Sequence, residues 1–298
     1  MTRLTTSLAD TKSTDEVSSL ATEMPILENI SIELLPEHVA TFQPTPANLK
    51  PGSFVFLTHI GGKSLSVQVA AARRLKSMGY EPVCHLGARN FASREEYANH
   101  LSELSDAGVT TVLMIGGNSS DAVSPMQSAM ELLSHPIVPR TIIKRVYFAG
   151  HPEGHPAISS DVLMPVLAEK IKVARELGLA PEIVTQFAFD GAAMAAWAAG
   201  LRMNGIDAPI RFGVAGVTSL PKLIKFAMLC GVGASLKGLT RQGGSILKAM
   251  RDQDPGDVIA QLRAGVGSHA LNDISLHFFP FGGWEKTLNW IAASRVAR

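Results

Sequence analysis

Two kinds of hydrophobic pattern alternate along the chain. Short apolar runs rich in β-branched and aromatic residues are separated by longer stretches in which apolar positions recur every three or four residues. The first kind predicts strands over residues 30–35, 53–59, 81–86, 110–115, 145–149, 182–189, 209–214 and 274–279. The second predicts amphipathic helices between most of them. One covers residues 93–107, opening with Ser93 and Glu96 at capping-box spacing and closing near Gly108. Another covers residues 63–78 and ends at Gly79, as a left-handed cap residue would.

Eight strands in alternation with helices, over about the 250 residues such a fold occupies, predict a (β/α)8 TIM barrel of the α/β class. An open doubly wound sheet would carry a glycine-rich turn after its first strand, and Pro36, Glu37 and His38 stand there instead. No shorter internal repeat and no break in composition marks a second domain. The expected organisation is a flexible N-terminal tail over residues 1–28 and a single catalytic barrel over residues 29–298.

With 46% hydrophobic and 18% charged residues, the 298-residue chain has material for one large core. A net charge of +1 and scattered Lys and Arg give no electrostatic case for nucleic acid or an anionic membrane. Cys84 and Cys230 lie in apolar contexts without metal or disulfide spacing, and read as reduced thiols. Residues 1–24 carry Asp10, Asp15 and Glu16 and no apolar stretch of a secretory signal. No run reaches the roughly 20 apolar residues of a membrane span. The expectation is a soluble, cytoplasmic protein, and apolar outer helices such as residues 192–201 suggest a homo-oligomer, a dimer or tetramer.

In a TIM barrel the chemistry gathers at the C-terminal strand ends, and polar residues fall there in several strands. Glu33 lies inside the first run, Thr58 and His59 end the second, and His85 ends the third. Gly116, Gly117 and Asn118 follow the fourth, His151, Glu153 and His155 the fifth, and Gln186 and Asp190 belong to the sixth. Burial between Ile32 and Leu34 would raise the Glu33 pKa and suit it to general acid chemistry, whereas an ordinary structural carboxylate is the commoner case. His85 reads equally well as a satisfied core histidine. Metal ligation by His151 and His155 is disfavoured by Pro152 and Pro156, which break any shared helical face, so no metal site is expected. Gly116 and Gly117, like Gly243 and Gly244, would let backbone amides approach a phosphate or simply make turns. Met194, Trp197 and Met203, on an Ala-rich helix, read as core contacts.

Taken together, these residues resemble the methylenetetrahydrofolate reductase family, flavin-dependent barrels that reduce methylenetetrahydrofolate to methyltetrahydrofolate. The likeness runs from about Ile30 onward. It is most specific at Tyr-Phe-Ala-Gly-His-Pro-Glu-Gly-His-Pro (residues 147–156), Thr-Gln-Phe-Ala-Phe-Asp (185–190) and Gly-Ile-Asp-Ala-Pro-Ile-Arg-Phe-Gly-Val (205–214). The resemblance implies that Glu33 is the general acid, protonating a folate nitrogen so that the ring opens to an iminium that accepts hydride. It implies FAD contacts from Thr58, His59, His85 and Gly117, and from Asn118, His151, His155 and Lys170. It implies folate or nicotinamide contacts from Gln186, Phe189 and Lys222, with NADH or NADPH as co-substrate.

Several positions depart from the family pattern. Gly116, Gly117 and Asn118 stand where Arg-Gly-Asp is common, which removes a negative charge near the flavin ring. His151 replaces a tyrosine, Lys222 a glutamine, and Gly282 and Gly283 an Asn-Arg pair. These leave two alternatives to a flavin-dependent reductase: direct hydride transfer from NAD(P)H without flavin, or a non-catalytic folate-binding barrel serving a methyltransferase.

Overall fold

The computed structural model describes residues 25–117, 124–230, 232, 252–266 and 273–296. Asn118, Gly243, Gly244 and most of the expected tail lie outside the described residues. Eight parallel strands close into a barrel in sequence order: β1 (Ile30–Leu34), β2 (Phe54–Leu57), β3 (Glu81–Gly87), β4 (Thr111–Ile115), β5 (Arg145–Gly150), β6 (Ala180–Phe187), β7 (Ile210–Ala215) and β8 (Ile274–Phe279), with β8 pairing back onto β1. This is the TIM barrel that the alternation predicts. Around it lie α1 (Leu65–Ser77), α2 (Arg94–Asp106), α3 (Ala129–Leu133) and α4 (Ser160–Glu176), then α5 (Gly191–Met203), α6 (Leu220–Leu229), α7 (Gly256–Val266) and α8 (Trp284–Val296). Among the described residues no helix is long and apolar enough to cross a membrane.

Local chemistry sets the element ends. Gly79 takes φ +82° after α1, as its place in the sequence requires. Ser93 caps α2 by accepting from the Glu96 N–H at 2.9 Å, while the Glu96 carboxylate accepts from the Ala92 N–H at 2.6 Å, so the reciprocal half of the box is displaced by one residue. Asp190, expected to belong to the sixth strand's chemistry, instead caps α5 by accepting from the Ala193 N–H at 2.9 Å. On α5, Met194 is buried, but Met203 is 87% exposed and is not the core contact expected. Nine residues at about 100° each put it on the face opposite Met194. The packed body also reaches back before residue 29, because Ile26 and Leu27 are buried and Arg295 donates to the Leu27 carbonyl at 3.1 Å.

Alternation along each strand sorts side chains between two cores. Ile30, Ile32, Leu34, Val55, Leu57, Cys84 and Leu86 face the helices and join the main apolar layer. Phe56, Val83, Leu113, Tyr147 and Val184 fill the lumen as a separate cluster. One irregularity interrupts the scheme. Val184 pairs with Arg211 but Phe187 with Gly213, so β6 carries one extra residue at its C-terminal end. Gly213 permits this, since a Cβ there would meet the Thr185 carbonyl oxygen at 2.5 Å.

The N-terminal end of the lumen is plugged by charge. Arg211 donates to the Tyr147 hydroxyl at 2.8 Å and to Asn29 Oδ1 at 3.1 Å, and its guanidinium lies 4.9 Å from the Phe54 ring centroid. Arg145 pairs with Glu182 at 2.7 Å. Replacing Arg211 by leucine should cost about 2–3 kcal/mol, less than a fully stranded charge because Arg145 still neutralises Glu182. Urea unfolding monitored by circular dichroism would show this as an earlier midpoint with an unchanged slope.

Candidate functional site

At the opposite end, three inward-facing side chains from non-consecutive strands converge. Glu33 Oε2, on β1, lies 3.6 Å from His85 Nε2 on β3 and 3.9 Å from His277 Nε2 on β8. The carboxylate is 22% exposed, while the His85 and His277 side chains are 8% and 1% exposed, so the acid is the member that solvent or a ligand can reach. Ser31 anchors the His277 ring. Its hydroxyl lies 2.9 Å from His277 Nδ1 and 3.3 Å from the Leu276 carbonyl oxygen. That turns His277 Nε2 toward Glu33.

Burial governs the charge states here. It raises the Glu33 pKa, an effect His85 only partly opposes. Burial lowers His85 to about 4, against the pull of Glu33 and with help from His277 and His59. Burial and the nearby Arg211 lower His277 to about 3. Two neutral imidazoles therefore face a carboxyl group that holds its proton more tightly than a free glutamate. Such an arrangement can deliver a proton to a bound base and take it back.

Thr58 stands just beyond β2, and its hydroxyl is buried. Neither Thr58 Oγ1 nor His85 Nε2 finds a hydrogen-bond partner among the described residues. His59 accepts from the Gly87 N–H at 3.1 Å through Nδ1, and burial lowers it to about 4. A cleft lined by Pro36, Thr58, His59, Lys63 and Gln68 opens beside them.

A second group gathers around Lys170. Lys170, on α4, sits 5.4 Å from the Phe148 ring centroid, and burial lowers it to about 8. Burial, then His155 and Lys170, lowers His151 to about 4, and burial and Arg89 lower His155. The His151 and His155 rings meet edge to face at 5.0 Å, and His155 Nδ1 accepts from the Ala157 N–H within its own loop at 3.1 Å. Arg89 donates to the Gly117 carbonyl, and Gly117 has φ +78°. A Cβ on Gly117 would stand 3.1 Å from Gly87 Cα, so the β3 and β4 loops touch backbone to backbone. Among the described residues no cluster of three or more His, Cys, Asp or Glu could hold a metal.

The extra residue in β6 puts Phe187, not Gln186, opposite the inward-facing Gly213. The Gln186 amide oxygen accepts from the Phe187 N–H at 3.0 Å, bracing the bulge. Phe187 then meets Phe189, Phe279 and Phe281 at 5.6, 5.5 and 4.9 Å between ring centroids, an aromatic wall beside the acid. The Phe189 N–H donates to Glu153 at 3.1 Å. Lys222 lies exposed in the first turn of α6. Sequence reasoning missed His277 and Phe279, although both stand at the inward parity of β8, where a histidine inside an apolar run is the same signal that Glu33 gives.

The family model described as methylenetetrahydrofolate reductase matches residues 47–236. The chain belongs to the methylenetetrahydrofolate reductase family. Among solved structures, an uncharacterized protein from Clostridium thermocellum that binds two copies of 5-methyl-5,6,7,8-tetrahydrofolic acid superposes with TM-score 0.62 and 12% identity, over 92% of this chain and 98% of that one. A Burkholderia cenocepacia protein described as a phosphonomutase gives TM-score 0.45 and 9% identity, over 91% and 94% of the two chains. Within the family's barrel, the matched segment carries Thr58, His85, His151, His155, Lys170 and Gln186, whereas Glu33 and His277 lie outside it.

The buried histidines make stability depend on pH. His59, His85, His100 and His151 titrate near 4 when folded, against 6.5 in the unfolded chain. Between those values the unfolded chain binds protons that the folded one refuses, so stability is full above about pH 6.5 and falls as pH drops toward 4. Glu33, raised when folded, works in the opposite sense but is outnumbered. The melting temperature should therefore be lower at about pH 5 than at about pH 7.5, and an unchanged or higher value at the lower pH would contradict neutral buried histidines.

Proposed function

We propose that the protein is a flavin-linked oxidoreductase interconverting 5,10-methylenetetrahydrofolate and 5-methyltetrahydrofolate, with NADH or NADPH as the source of reducing equivalents. The observation that carries this reading is the Glu33 carboxyl, raised in pKa and backed by two neutral imidazoles at an open barrel mouth. Protonating a folate nitrogen needs an acid that keeps its proton near neutral pH, and desolvation supplies one. On protonation the imidazolidine ring opens to an iminium, which accepts hydride at its exocyclic carbon. In the reverse direction Glu33 takes the proton back. Phe189 and Phe279, both partly exposed and backed by the buried Phe187, offer apolar surface against which a pterin ring can pack.

The residues present fit FAD. Thr58 Oγ1 and His85 Nε2 are buried polar atoms without a partner among the described residues, as groups kept for a ligand would be. Lys170 and Arg89 supply positive charge around the neutral imidazoles of His151 and His155, a combination suited to a pyrophosphate. FAD, when bound, would supply the hydride-transfer chemistry. Binding of methyltetrahydrofolate by the Clostridium thermocellum protein supports the substrate class, through a shared fold.

Two measurements test this. Methyltetrahydrofolate added anaerobically to purified protein should bleach flavin absorbance. Bands that persist would remove the folate assignment, and absence of flavin would favour direct hydride transfer from NAD(P)H or a folate-binding role. Glu33→Gln should keep the flavin spectrum and lose about 10²–10⁴-fold in folate turnover, the usual worth of a general acid. Near-normal turnover in that variant would remove Glu33 from the chemistry.

A further inference from the structure

Gln68 is a polar side chain on the buried face of α1, only 3% exposed, and nothing in the groups around Glu33 and Lys170 accounts for it. Its Nε2 lies 3.1 Å from each of three backbone carbonyl oxygens, those of Leu57, Thr58 and His85. These are where β2 ends and β3 delivers its imidazole. Three acceptors around one atom settle the amide orientation, because only the NH₂ end can donate. The Gln68 oxygen then accepts from His100 Nε2 on α2 at 2.8 Å, which makes His100 the donor and fixes its tautomer. His100 is 2% exposed, and its Nδ1 has no partner among the described residues. The proton is thus committed to the Gln68 side.

We propose that Gln68, its amide oriented by His100, is the positioning residue that fixes Thr58 and His85 against each other at the barrel mouth. It rests on the reading of that mouth as a ligand site, but its geometry stands in the unliganded protein. Parallel strands β2 and β3 pair directly only as far as Leu57 and Cys84. Beyond that register the carbonyls of Thr58 and His85 have no strand partner across the gap, and one amide spans both. The same junction is tied by Asn90, which donates to the His59 carbonyl at 2.9 Å. The Gln68 hydrogen bonds go to backbone carbonyls and to His100, and none goes to Glu33. Gln68 acts through the backbone that carries Thr58 and His85.

Histidine titration by NMR in the ligand-free protein tests this independently of any activity. The groups that bear on His85 are Glu33 from β1, His277 from β8 and His59 after β2, with burial dominant. Gln68→Leu should loosen the end of β3, admit water to the ring and raise the His85 midpoint from about 4 by about one pH unit. His100→Leu, which leaves the amide free to turn, should shift it in the same direction. His100→Gln, whose Nε2 can occupy the place of the imidazole Nε2, should restore the original value. If Gln68→Leu does not fold, the two His100 variants decide the matter alone. An unchanged His85 midpoint in His100→Leu, or a shift that His100→Gln fails to reverse, would overturn the proposal and leave Gln68 with a packing role only. Failure of the folate assignment would leave this titration untouched, so the two outcomes are separable.

Discussion

A closed parallel barrel admits every second side chain of every strand into a lumen of fixed width, and that constraint shapes the rest of this molecule. Once β8 pairs with β1, no strand can slip by one residue without exchanging its lumenal and helix-facing sets. Ile30, Ile32 and Leu34 are thereby committed to the helix layer, and Ser31 and Glu33 to the interior. An acid that a free sheet edge would have left in water is held where desolvation raises its pKa. The apolar plug of Phe56, Val83, Leu113, Tyr147 and Val184 beneath it excludes solvent from below.

The two ends of the lumen differ in how they handle buried charge. At the N-terminal end Arg211 donates to Tyr147 and Asn29, and opposite charges stand 2.7 Å apart between Arg145 and Glu182, although Arg211 Nη1 has no hydrogen-bond partner among the described residues. At the C-terminal end Glu33, His85 and His277 stand 3.6 and 3.9 Å apart, too far for direct hydrogen bonds, and Thr58 keeps an unused hydroxyl. Paired charges cost little to bury and fix the strands. Polar atoms left without partners cost stability, and the usual physical reason for a protein to keep several in one mouth is that a ligand completes them.

Much of this was legible in the sequence because barrel strands are short, apolar and punctuated. All eight expected strands are present, and Glu33, Thr58 and His85 lie where their strands end. The C-terminal end of β6 was not legible. The run continues apolar through Phe189, so periodicity extends the strand, whereas the bulge after Val184 depends on the missing Cβ of Gly213 in the neighbouring strand. That is a tertiary fact, and it transfers the inward position from Gln186 to Phe187. Gln68 and His100 were hidden for a related reason. Each sits singly in an amphipathic helix, and only the packing of α1 and α2 against the ends of β2 and β3 shows that they meet.

The neutral partners of Glu33 suit the proton-donor role proposed for it. A lysine or arginine within 4 Å would hold the carboxylate ionised and spoil it as a proton donor. A second carboxylate would raise the pKa but would also repel an anionic ligand such as the folate proposed here. Imidazoles driven to about 4 and about 3 by burial avoid both, since they remain uncharged across the range in which the acid changes state. The Ser31 hydroxyl contributes by anchoring His277 Nδ1, so that Nε2 faces the acid. An ionised Glu33 therefore meets no competing cation on that side. The proton's affinity for the carboxyl is set chiefly by desolvation, which a ligand closing the mouth would deepen, so binding and acid strength are coupled through the same buried surface.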